Sequence, residues 1–70
     1  MRIEVETYSG FKADERPLRF RLGGRWLAVE EVLDRWYGPH AAHFRVRAED
    51  GGVYALRHDQ REDRWMLESL

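Results

Sequence analysis

The sequence predicts an all-β domain, a small, strongly bent antiparallel barrel of the SH3-like kind with five to six strands. Three observations carry this. Apolar and polar residues alternate with a period of two in one segment after another. The glycine pairs Gly23-Gly24 and Gly51-Gly52 fall between such segments, where the chain must reverse. β-Branched and aromatic residues, the latter comprising three Trp, three Tyr and three Phe, concentrate in the alternating stretches.

The elements follow in order. Ile3, Val5 and Thr7 alternate with Arg2, Glu4, Glu6 and Tyr8, which is the pattern of a half-buried first strand. The run from Ser9 to Arg16 has no period and ends at Pro17, a residue tolerated where a strand starts, so it reads as a loop. Leu18, Phe20 and Leu22 alternate with Arg19 and Arg21, and Gly23-Gly24 supplies the positive φ angles of a two-residue hairpin. Phe44, Val46 and Ala48 alternate with His43, Arg45, Arg47 and Glu49 ahead of Asp50-Gly51-Gly52, and Val53 to His58 resumes as a strand. Beyond the polar turn 59–63, Trp65 and Leu67 oppose Arg64, Met66 and Glu68 in a closing strand.

The stretch from Arg25 to Tyr37 admits two readings. Val29, Val32, Leu33 and Trp36 stand at i, i+3, i+4 and i+7, and Gly38-Pro39 resembles a helix stop, so the alternative fold is α+β with a short helix at 28–37. Against the helix, no capping residue precedes Val29, and Gly23-Gly24 feeds straight into Arg25-Trp26-Leu27 as a hairpin arm. The favoured reading is one long strand, bent by a bulge near Glu30-Glu31 so that it serves two packed sheets.

A chain of 70 residues makes one domain, 1–70, since it cannot divide its apolar residues between two cores. For this mass roughly 7,500 Å² leaves water on folding, and at about 60% apolar this contributes on the order of 110 kcal/mol. Ordering entropy opposes it with about 105 kcal/mol. The near-cancellation predicts a marginal monomer and favours a homodimer or a partner-bound form. Charged residues make up 36% of the chain but leave a net charge of only −1, which excludes charge-driven disorder. With no cysteine, neither a disulfide framework nor a thiolate metal site is available. No stretch has the apolar run of a signal peptide or a membrane span, so a cytoplasmic location and no membrane partner are expected.

If Leu18, Phe20, Phe44, Val46, Tyr54, Leu56, Trp65 and Leu67 face the core, the same alternation sends Arg19, Arg21, His43, Arg45, Arg47, Arg57 and Arg64 outward. Like charges on neighbouring strands repel, so these rows need interleaved acids such as Glu4, Glu6 and Glu68, or an external anion. Planar guanidinium groups pair with phosphate, and exposed aromatics stack on unpaired bases, so the seven residues form a candidate anion or single-stranded nucleic-acid surface. A solvated, ion-paired sheet face is the plainer alternative. Three tryptophans strain so small a core; Trp36 and Trp65 are expected inside, while Trp26 and Tyr37 are the candidate interface residues.

Catalytic signatures are missing. His40, His43 and His58 lack zinc-site spacing and read as surface or turn residues, so no metal is expected. Asp34, with no nucleophile or second acid beside it, reads as the ion-pair partner of Arg35 or another arginine. The glycine pairs are turn chemistry rather than phosphate loops, because neither stands between a strand and a helix. No enzymatic activity and no cofactor are expected.

At Glu31-Val32-Leu33-Asp34-Arg35-Trp36, Phe44-Arg45-Val46-Arg47, Asp50-Gly51-Gly52-Val53-Tyr54 and Arg64-Trp65 with Leu67-Glu68, the chain resembles a bacterial family of small proteins of unassigned function. Members look like free-standing cytoplasmic proteins or like the C-terminal segment of Y-family-polymerase-like mutagenesis proteins. The likeness runs from Pro17 to Glu68, and this chain departs from the fused form by carrying its own first strand, Met1 to Tyr8. The resemblance implies a compact β module that accompanies replication or repair machinery and brings no catalytic residues to carry over. Together these readings predict a non-catalytic binding or adaptor module for an unidentified protein partner, with nucleic-acid binding through the arginine rows as the alternative.

Overall fold

A computed structural model describes residues 1–8 and 16–69, Ser69 by its backbone alone. Six strands run β1 Arg2–Tyr8, β2 Arg16–Leu22, β3 Arg25–Tyr37, β4 Ala41–Ala48, β5 Val53–Asp59 and β6 Arg64–Ser69. Each is antiparallel to its successor, and β6 returns to β1 through Arg2↔Met66 and Ile3↔Trp65, closing the sheet into a barrel. No described residue is helical. The strand reading of residues 28–37 therefore holds and the helical alternative is corrected. Of the expected loop, Ser9 to Glu15 lies outside the described residues, while Arg16 already belongs to β2.

The long strand β3 is the hinge of the architecture. Arg25 to Ala28 pair with β2, and Val29 to Tyr37 pair with β4. Two irregularities interrupt the β4 register, one between Val29 and Glu31 as expected and a second between Val32 and Asp34. Each bulge inserts a residue in β3 with no counterpart in β4. The positions opposite inward-facing β4 residues consequently fall at Val29, Val32 and Arg35, a spacing of three rather than two. A strand bulged twice at this interval imitates helical periodicity, which is why the sequence supported both readings.

Phe20, Phe44, Val46 and Leu56 form the fully buried centre, joined by Ile3, Leu27, Ala42, Ala48, Trp65 and Leu67. The ring of Phe44 lies 5.6 Å from Trp65, and Phe20 meets Tyr54 edge-on at 5.2 Å. Such aromatic pairs let a small barrel fill its interior with few side chains. Six of the eight expected core residues are buried and Tyr54 is half-buried, but Leu18 is 43% exposed. The cause is a bulge: pairing passes from Glu6↔Arg19 to Thr7↔Pro17, so Leu18 is the extra residue and Pro17 takes the inward place.

Two further expectations need correction. Trp36 is not in the core: it sits on the outer face opposite His43, because the second bulge of β3 reverses the strand's alternation. His58 is not a surface residue. It is buried at the barrel end, stacked 4.6 Å from Trp65, and its Nε2 hydrogen-bonds Asp63 Oδ1 at 2.8 Å. Opposite it, Ala42 leaves room for the imidazole. Asp63 adopts φ 52°, the left-handed region that tight turns use, and this brings its carboxylate back toward β5.

Candidate functional site

The outer face of the barrel carries the charges, and its pairings are set by strand register. On β1 and β2, Glu6 stands opposite Arg19 and Glu4 opposite Arg21. Arg19 makes a two-pronged bond to Glu6, both nitrogen–oxygen distances being 2.7 Å, and Arg21 reaches Glu4 at 3.3 Å. On β3 and β4, Glu31 stands opposite Arg47 at 2.7 Å and Asp34 opposite Arg45 at 3.3 Å. Glu30, the first bulge residue, also approaches Arg47 at 3.9 Å. Arg64 reaches Glu62 at 3.6 Å, and His43 Nδ1 donates to Glu68 at 2.7 Å.

Six of the seven candidate anion-binding residues thus face a carboxylate of this chain: Arg19, Arg21, His43, Arg45, Arg47 and Arg64. Glu4, Glu6 and Glu68, the acids anticipated from the alternation, are among the partners, and Asp34 meets an arginine from the next strand. These pairs are solvent-exposed and screened, so their main effect is to cancel repulsion along the rows. Arg57 is the exception. It has no ion pair among the described residues, and its Nε is buried without a hydrogen-bond partner.

The candidate interface residues divide. Trp26 is half-buried, with the Arg19 guanidinium stacked 4.7 Å above its ring, so Glu6, Arg19 and Trp26 form a self-contained ladder. Tyr37, at the end of β3, is 60% exposed. Beside it stands Trp36, 46% exposed, its indole parallel to the His43 imidazole with centroids 5.4 Å apart. Sequence reasoning missed Trp36 as a surface residue; the signal lay in two apolar spacings of three, which a bulged strand explains as well as a helix does. No group of three or more His, Asp or Glu disposed to hold a metal ion occurs among the described residues.

The ends of the barrel are locked by short-range bonds. At the β4–β5 turn, Asp50 accepts from the Tyr54 hydroxyl at 2.6 Å and from the Gly52 N–H at 2.8 Å. The Tyr54 bond, then the Gly52 bond, hold Asp50 below the usual carboxylate range, and the same Asp50 bond raises the Tyr54 phenol. Glu6 is lowered chiefly by its bond from Arg19, and Asp59 chiefly by the backbone N–H of Glu62. A carboxylate lowered on folding adds stability above its unfolded value and loses it as pH falls through the folded one. A phenol raised on folding adds stability below its unfolded value and loses it as pH rises through the folded one. Urea unfolding across pH should therefore show a plateau that falls at both ends. Tyr54→Phe should remove the phenol's share of the alkaline fall and make the acid fall shallower. A Tyr54→Phe profile superimposable on the native one would count against this.

Fold and surface together define a six-stranded antiparallel barrel whose outer arginines are mostly ion-paired and whose β3 ends in two exposed aromatics, Trp36 and Tyr37. Compared with protein-family models, with curated proteins and with solved structures, the chain has no match.

Proposed function

We propose that the protein is a non-catalytic adaptor, an SH3-like barrel that binds a protein partner through the outer end of β3. The observation that carries this is the exposure of Trp36 and Tyr37 on adjacent residues of a strand whose neighbouring charges are already satisfied. Large aromatics left in water are the usual anchors of protein interfaces, where they bury much area at little entropic cost. The paired arginines around them suit a polar rim. Among the described residues, nothing on the outer face combines a nucleophile with a general base, which favours binding over chemistry. The resemblance noted in the sequence supports a setting in a bacterial cytoplasmic replication or repair assembly, and the marginal energetics support self-association as one form of the contact.

The test is comparative. Tagged native chain should retain a protein partner in stoichiometric amount, and the double substitution Trp36→Ala and Tyr37→Ala should lose it while Val53→Ala, an exposed apolar change elsewhere, keeps it. Equilibrium sedimentation decides whether that partner is a second copy. Equal retention by native and doubly substituted chains would overturn the assignment.

A further inference from the structure

One row of outward side chains differs from the rest of the surface. Trp36 pairs in register with His43, His43 with Arg57, Arg57 with Met66 and Met66 with Arg2, so five residues from five adjacent strands lie in line across the sheet. With about 4.8 Å between strands, the row is roughly 19 Å long. Its ends are chemically distinct. At one end the parallel rings of Trp36 and His43 form a platform, with His43 fixed beneath the indole by its 2.7 Å bond to Glu68. Toward the other end lie Arg57 and Arg2, neither of which has an ion pair among the described residues.

Arg57 lacks an ion pair among the described residues for a structural reason. The acid nearest in sequence on its face is Asp59, which feels the arginine's charge. Yet Asp59 Oδ1 is held by the turn, accepting from the backbone N–H of Arg61 at 3.0 Å and of Glu62 at 3.3 Å. Glu68 is taken by His43. The Nε of Arg57 is buried without a hydrogen-bond partner, so a ligand would have to be met by its terminal amino groups.

We propose that this row binds single-stranded nucleic acid laid across the strands, with a base stacking on Trp36 and backbone phosphates meeting Arg57 and Arg2. The inference goes beyond the adaptor reading: it shares Trp36 with that reading and adds Arg57 and Arg2, which the adaptor reading does not use. A stacking ring accepts any base through its π-face, whereas a guanidinium with no carboxylate bonded to it can meet phosphate without first displacing one. The ion-paired arginines Arg19, Arg21, Arg45, Arg47 and Arg64 contribute little, since an anion would have to displace a carboxylate from each. Duplex DNA fits less well, because its bases are already stacked on one another.

The probe is an eight-nucleotide oligothymidylate carrying a fluorescein, followed by anisotropy over a salt series. Two phosphate contacts predict a slope of log affinity on log salt of about −1.4, and Arg57→Gln should reduce it by about 0.7. Trp36→Ala should weaken binding about 5- to 150-fold at every salt concentration with the slope unchanged, and Trp36→Phe should retain most of it. Arg47→Gln, which removes a paired arginine, should leave both affinity and slope as they are. The proposal is overturned by no binding at low salt, by equal loss in Arg47→Gln and Arg57→Gln, or by equal affinity for a duplex of the same length. Because Arg57→Gln leaves Trp36 and Tyr37 in place, protein-partner retention by that variant separates failure here from failure of the adaptor reading.

Discussion

Phe44→Ala is expected to destabilise the barrel by about 3–5 kcal/mol. Phe44 is 2% exposed and stands at the crossing of three strands, in register with Arg35 of β3 and Leu56 of β5. Its ring packs 5.6 Å from Trp65, which closes the β6–β1 seam, and the Arg35 guanidinium covers it at 5.8 Å. Truncation removes the ring's own burial and leaves a cavity that a closed barrel cannot collapse, since all its strands are tied by register. A domain of this length holds only about 4–10 kcal/mol in total, so the variant should be substantially unfolded at modest urea. Trp36→Ala, though it removes a larger side chain, should cost far less, because the residue is 46% exposed and its indole stacks on His43 at the surface. Urea unfolding followed by Trp fluorescence compares the two; similar midpoints would contradict the assignment of one ring to the core and the other to the exterior.

The contrast between those two rings also shows where a sequence is legible. Phe44, Val46, Leu56, Trp65 and Leu67 lie on strands β4 to β6, whose inward alternation is preserved at these positions, and their burial could be read directly from it. Trp36 and Leu18 were misplaced for one shared reason. Each lies at or beyond a bulge, and a single inserted residue sends every later side chain to the opposite face. Nothing in the residues near Leu18 announces that insertion: Pro17 takes the buried position only because β1 meets β2 with a slipped register, which is a property of two strands together. In β3 the bulges did leave a trace, the spacing of Val29, Val32 and Leu33, but that trace is shared with an amphipathic helix. What decided between them was the hairpin glycines upstream and the missing cap.

The arginine rows illustrate a second limit. Alternation placed them outward, but whether they stay available depends on which acid stands across the strand. Glu4, Glu6 and Glu68 were identifiable as neighbours once three elements were assumed to be strands. The partners of Arg45 and Arg47 were not, because Asp34 and Glu31 reach register with β4 only through the bulges. That Arg57 has no ion pair among the described residues was still less visible, since the acid two residues away is bonded to a turn. His58 escaped notice because a histidine inside a strand carries no mark of the tryptophan it will stack on.

Gly52→Ala should cost about 1–3 kcal/mol, for a reason different from that of its neighbour. Gly51 has φ 84°, so there a side chain would be strained by the backbone itself. Gly52 has no such angle, but a Cβ built on it would lie 2.9 Å from both Cε2 and the hydroxyl of Tyr54 and 3.1 Å from Asp50 Oδ1. The ring must move, and its movement breaks the 2.6 Å bond to Asp50 and disturbs the edge-on contact with Phe20. The turn, the hydroxyl bond and one edge of the core are therefore coupled through a single missing methyl group. A double-mutant cycle measures that coupling: in a Tyr54→Ala background, where only the 3.1 Å approach to Asp50 Oδ1 remains, Gly52→Ala should cost less, giving an interaction energy of about 0.5–3 kcal/mol. An equal cost in both backgrounds would mean that the second glycine serves the backbone, as the first does, and not the space that Tyr54 occupies.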